Sequence, residues 1–211
     1  MKKILAIGGA VIKTALPELR KVIEDDKIEM LIHNGASLFH DFQIATDITL
    51  KERGITSYPL EELLQNCTCN KQTSELVWDW INSFNPPENS ITKLCEDKHI
   101  PVLCFTVLGA DFWQLYDEEW DIFALKTKYD FDYLKWRMTK PFHFICMGSA
   151  VIHPEVFLKA LAVSKPKEFK ADVVDFLDLY RPRSRVACYG NYYKMSHKEF
   201  LTKWLSGEIN I

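Results

Sequence analysis

Four times along this chain, a short apolar run ends in small or polar residues and turns into a helical pattern. The runs are Ile4–Ile7 into Gly8-Gly9, Met30–Ile32 into Asn34-Gly35-Ala36, Val102–Phe105 into Thr106, and Phe142–Met147 into Gly148-Ser149. In a parallel α/β sheet these junctions all lie along one edge, the carboxyl ends of the strands. Ligands bind at that edge, because helix N-termini and bare backbone N–H groups gather there. Function is therefore expected at these loops.

The remaining periodicity alternates helix and strand. Helical spacing predicts helices over Leu16–Glu24, Leu38–Leu50, Leu60–Gln65, Gln72–Ser83 and Ser90–Asp97, the last capped by Ser90. A third strand starts at Pro101, and one or two helices fill Asp117–Lys140. Pro154–Ser164 follows the fourth strand, and further strands are expected at Ala171–Phe176 and Val186–Tyr189. Ser196–Leu205 closes the chain as an amphipathic helix, with Ser196 and Glu199 spaced as a capping box. The expectation is one domain over residues 1–211: a three-layer, doubly wound, mostly parallel α/β sheet of Rossmann-like type.

Composition removes several function classes. A net charge of −3 supplies no basic stripe for nucleic acid. No run approaches the ~18–20 apolar residues of a membrane span. Met1-Lys2-Lys3 before Ile4–Ile12 imitates a secretory leader, but Gly8-Gly9 interrupts the run and Lys13 closes it, so a first buried strand and a cytoplasmic location are expected. Six Trp, eight Tyr and thirteen Phe exceed the needs of a core and suggest a pocket or oligomer interface. Cys104 and Cys146 fall within strands, where a free thiol acts as a small apolar group. Cys67-Thr68-Cys69 lacks the two-residue spacer of zinc knuckles and a second pair, so no metal is expected.

The loops carry the candidate chemistry. His33 through Asp41 places a Gly-containing turn after a strand, with His40 and Asp41 about one turn into the next helix. Such a pair binds an amine or moves a proton; equally, Asp41 stands solvated and His40 packs. Met147 through Glu155 offers a Gly-Ser-Ala turn, with Glu155 either reactive or complementing the helix dipole. Thr106 through Asp111 is a turn containing Gly109, and Asp111 is also a natural cap. Gly8, Gly9 and Lys13 offer a turn and one cation. Neither GxGxxG nor GxxxxGK[ST] is present, so a dinucleotide site here has to be of a less common type.

In order along the chain, Asn34-Gly35-Ala36 with His40-Asp41, His99-Ile100-Pro101-Val102, Thr106 through Asp111, and Gly148-Ser149-Ala150 resemble motifs of deoxyhypusine synthase. The likeness runs from Lys3 to Leu205. A smaller group of deoxyhypusine-synthase-related proteins of unassigned activity is more similar still. It shares Gly9-Ala10-Val11-Ile12-Lys13, Asn34-Gly35-Ala36 with His40-Asp41-Phe42, Gly148 through Ile152, Pro154 through Leu161, and Tyr180-Arg181-Pro182. The resemblance implies the synthase-like NAD-binding fold, a homodimer or homotetramer, and NAD or a related small molecule as ligand. It places Gly8, Gly9, Asn34, Gly35, Ala36, Thr106, Gly109, Asp111, Gly148 and Ser149 around that ligand, with His40, Asp41 and Glu155 available for proton transfer.

The synthase chemistry does not transfer with it. The family forms an imine on a lysine that follows a Trp-Gly pair, whereas Tyr189-Gly190-Asn191 stands here, with Lys194 three positions on. The family's adjacent histidines are replaced by Pro154 and Glu155. Two expectations follow: a small-molecule enzyme without the imine lysine, or a noncatalytic ligand-binding or oligomeric scaffold.

Overall fold

The computed structural model describes residues 1–46, 79, 83, 85–106 and 120–211. Its elements are β1 (Lys2–Ile7), α1 (Gly9–Glu24), β2 (Met30–Asn34), α2 (Gly35–Thr46), α3 (Ile91–Asp97), β3 (Val102–Phe105), α4 (Trp120–Arg137), β4 (Phe142–Met147), α5 (Ile152–Ser164), β5 (Phe169–Asp175), α6 (Tyr180–Arg185), a 3-10 turn (Ala187–Tyr189), β6 (Tyr192–Lys194) and α7 (His197–Ser206). The six strands form one sheet in the order β3-β2-β1-β4-β5-β6, and every pair is parallel. This is the doubly wound order whose direction reverses between β1 and β4, the switch point at which open sheets of this kind bind ligands.

Alternation along β1 shows how the layers arise. Leu5 and Ile7 pack with Leu19, Ile23, Phe200 and Trp204 from α1 and α7 on one face. Ile4 and Ala6 pack with Leu134, Phe144, Phe157 and Ala160 on the other, under α4 and α5. A strand buried on both faces must be apolar throughout, which is why β1, β2 and β4 read as continuous apolar runs. Among the described residues, no helix is long and apolar enough to cross a membrane.

Several element boundaries differ from expectation. Helix α1 begins directly at Gly9 rather than Leu16 and kinks at Ala15 (φ −147°), two residues before Pro17. Proline has no N–H to give the preceding turn, and its ring crowds that turn's carbonyl. Helix α2 likewise begins at Gly35, not Leu38. The expected strand at Val186–Tyr189 is instead the end of α6 and the 3-10 turn, and β6 starts at Tyr192. Its pairing is set by Asp172: the carboxylate accepts the Asn191 N–H at 2.7 Å and the Asn191 Nδ2–H at 3.2 Å. Ser90 and Ser196 cap their helices as expected, accepting the Lys93 and Glu199 N–H groups. Leu60–Gln65, Cys67, Cys69 and most of Gln72–Ser83 lie outside the described residues.

Candidate ligand site at the carboxyl edge of the sheet

Two glycines bring the ends of β1 and β4 together. The Gly8 N–H donates to the Met147 carbonyl at 2.9 Å, and the Gly148 N–H donates to that of Val174 at 3.1 Å. A Cβ on Gly8 would overlap the Gly148 carbonyl oxygen, so the loops after β1 and β4 touch backbone to backbone. Gly148 has φ +63°, and a Cβ there would stand 2.9 Å from His197 Nε2. The bare Cα of Gly148 thus lies beneath an imidazole. His197, the first residue of α7, is 2% exposed. Its Nδ1 is 3.4 Å from Thr14 Oγ1, while its buried Nε2 has no partner among the described residues. Burial lowers its pKa, opposed by the nearby Asp175. At neutral pH the ring is therefore uncharged and has a nitrogen to offer.

The end of β2 is committed to the start of α2. Asn34 Oδ1 accepts the Ser37 N–H at 2.8 Å, and Ser37 Oγ accepts the Asn34 N–H at 3.0 Å. This reciprocal cap explains why the helix starts immediately at Gly35. His33 Nδ1 lies 3.0 Å from Ser37 Oγ, and its Nε2 is 3.4 Å from Thr92 Oγ1. His153, near the start of α5, is buried. Its ring nitrogens make no hydrogen bond of ordinary geometry, although one lies toward the His33 backbone. Burial, then the neighbouring His153, pushes His33 down to about 3; burial pushes His153 down to about 4. Thr106 Oγ1, at the end of β3, is buried without a partner among the described residues.

The expected catalytic residues are distributed differently. His40 packs against Gly9, with Nδ1 3.3 Å from Gln43 Oε1, and burial followed by Lys13 lowers it to about 4. Asp41 is buried and turned toward α3, where its oxygens accept the N–H groups of Ile91 at 2.8 Å and Thr92 at 3.0 Å and the Thr92 hydroxyl at 2.8 Å. Burial nonetheless pushes its carboxyl up to about 6. Asp41 fastens α2 to the start of α3 and is not a solvated group. An Asp41→Ala protein is expected to lose about 3 kcal/mol in urea unfolding at pH 8, because two buried N–H donors lose their acceptor. An unchanged unfolding midpoint would contradict this role.

Glu155 sits in the first turn of α5 and pairs with Arg185 at 2.7 Å and Arg181 at 3.4 Å. Gly8, Gly148 and Ser149 meet where β1 and β4 end, Ala36 packs beside Gly9, Asn34 and Gly35 form the turn from β2 into α2, and Gly109 and Asp111 lie outside the described residues. Sequence reading missed His197 and gave no role to His33 or His153. The Ser196 cap located α7, but nothing local to His197 points to Gly148 or Thr14.

No protein-family model and no curated protein matches the sequence. Solved structures match its fold. AgrE in complex with ornithine and NAD+ has a TM-score of 0.59 at 12% identity, covering 97% of this chain and 30% of AgrE. A conserved protein of Methanococcus maripaludis S2, provisionally assigned to LOR/SDH, gives 0.59 at 14% identity over 97% of this chain and 60% of its own. An Entamoeba histolytica protein, provisionally assigned as a deoxyhypusine synthase, gives 0.52 at 9% identity over 98% and 74%. This chain thus spans less than two thirds of AgrE and of the Methanococcus protein. The likeness establishes the fold, which is three-layer and Rossmann-like.

Proposed function

We propose that this protein binds NAD, or a small molecule closely related to it, in the crevice between β1 and β4, and that it does not use an imine-forming lysine. The observation that carries this reading is the bare Gly148 backbone beneath His197, whose buried Nε2 has no partner among the described residues. A buried imidazole nitrogen without a hydrogen bond costs stability, and a ligand group in the crevice would supply the missing partner. Helix α1 starts at Gly9 directly after β1, so its first N–H groups lie at the same edge of the sheet and suit an anionic group. AgrE, which shares the fold, is known in complex with NAD+.

When bound, NAD supplies a hydride acceptor. His197 would orient the ligand through Nε2 and, being neutral, could accept a proton there. The position matching the family's lysine is Asn191, which latches onto Asp172, while Gly190 fits against the Ala171 carbonyl. Burial raises the Asp172 carboxyl, but the hydrogen bonds from His143, Asn191 and Lys170 outweigh it and hold the group below its usual range. That corner is built for structure rather than for a nucleophile. The resemblance further supports assembly as a homodimer or homotetramer, which light scattering at micromolar concentration would test.

The scaffold reading is favoured by a different observation. Gly8 and Gly9 are small because Gly148, Ala36 and His40 press against them, and Asp41 and Glu155 are occupied by protein partners. Titration calorimetry and thermal shift with NAD, NADH and NADP separate the two readings. NAD at a hundred times its Kd is expected to stabilise the protein by about 2.7 kcal/mol. His197→Ala is expected to weaken binding about tenfold while leaving the fold intact, through loss of one hydrogen bond. No heat and no shift with any of the three nucleotides would remove the NAD reading and leave the scaffold.

A further inference from the structure

A cleft of about 630 Å3 opens at the opposite, amino edge of the sheet, among the residues preceding β1, β2, β3 and β4 and the last turns of α4. Its size is that of small-molecule sites in general. Two aromatic side chains on α4 stand open there: Trp136 is 51% exposed and Tyr133 39%, with ring centroids 5.5 Å apart. Lys140 Nζ lies 4.3 Å from the Trp136 ring centroid.

The Arg137 guanidinium lines the same cleft, and its residue is only 7% exposed. Its Nη2 donates to the Glu29 carboxylate and, at 3.3 Å, to the Pro141 carbonyl. Its Nη1 is buried with no acceptor among the described residues. Lys2 Nζ is 3.5 Å from the same Glu29 carboxylate. Lys2 and Arg137 share the Glu29 carboxylate, and Lys140 adds a third cation to the lining, which leaves the cleft net positive. A buried guanidinium N–H without an acceptor is costly and calls for an anionic oxygen. Exposed aromatic faces beside it call for a flat ring.

We propose that this cleft is a binding site for a small aromatic anion, a flat ring bearing a carboxylate or phosphate. The ring packs on Trp136 and Tyr133, and the anionic oxygens reach Arg137, Lys2 and Lys140. The site is at the far end of the strands from the β1–β4 crevice and is independent of the NAD reading.

The test follows the indole N–H resonance of Trp136 by NMR, identified by its loss in Trp136→Phe. The probes are indole-3-acetate and phenyl phosphate, with indole and phenol as uncharged counterparts. A saturable shift with either anion, about tenfold weaker for its uncharged counterpart, is expected from the charges lining the cleft. Response to one anion alone identifies carboxylate or phosphate as the preferred group. Arg137→Lys risks unfolding because of its Glu29 contact, so Lys2→Ala with Lys140→Ala serves as the second variant. These exposed lysines should leave the thermal midpoint unchanged, weaken the anion about tenfold and spare the uncharged probe. No saturable shift with either anion, or equal affinity for charged and uncharged probes, overturns the proposal.

Discussion

A Gly8→Ala protein is expected to lose about 4 kcal/mol of folding stability, toward the severe end for a single added methyl. The backbone at Gly8, φ −95° and ψ 169°, is one that alanine adopts freely, so conformational strain is not the cause. The cost is steric. The new Cβ would overlap the Gly148 carbonyl oxygen and lie 2.7 Å from its carbonyl carbon and 3.3 Å from the Ser149 nitrogen. These are main-chain atoms that no rotamer change can move. The Gly8 N–H is fixed to Met147, so relief requires prising β1 from β4 at the sheet's centre. Gly207→Ala provides the contrast: φ is +80° with nothing within 4 Å, and only the left-handed backbone penalty of about 1 kcal/mol applies. Urea unfolding of both variants measures the difference. Wild-type stability in Gly8→Ala would show that the two loops do not abut.

His33 and His153, set against Asp41, are expected to remove about 4 kcal/mol of stability between pH 7 and pH 4. Both are held neutral in the folded protein, at about 3 and about 4, whereas the unfolded chain takes up their protons near 6.5. Between pH 6.5 and 4 the unfolded state therefore binds more protons, and stability falls as pH falls. Asp41 works in the opposite sense. Its carboxyl, raised to about 6, holds a proton that the unfolded chain releases near 3.8, which returns stability as pH drops through that window. Two histidines against one carboxyl leave a net loss on the acid side. His40 and His197 shift in the histidines' direction, and Asp130 in Asp41's. Chemical unfolding across this range measures the slope, and His33→Gln with His153→Gln should flatten it. A wild-type midpoint constant from pH 7 to 5 would exclude buried neutral imidazoles.

What was legible in the sequence follows from what is local. β1, β2 and β4 are apolar on both faces and could be read without their partners, as could the Ser90 and Ser196 caps. β6 could not. Tyr192–Lys194 is short and pairs because Asp172 seizes Asn191, a contact no window around Val186 reveals. Gly8 and Gly148 were placed correctly at the carboxyl edge, but the reason was only half visible. Each was expected to admit a ligand, whereas Gly8 first admits the other loop. Asp41 shows the same gap: a His-Asp pair near a helix start looks reactive until Ile91 and Thr92, fifty residues on, are found using the carboxylate.

The central position of β1 also bears on how the chain assembles. β1 pairs on one side with β2, Ile4 opposite Met30, and on the other with β4, Lys2 opposite Phe142. The second pairing closes a loop of about two thirds of the chain, at an entropic cost about 1.5 kcal/mol above the first. The sheet's middle seam is thus expected to close after β1–β3 and β4–β6 have begun to pair among themselves. A ligand held across that seam would bind only the sheet in which it is shut, and would act as its latch.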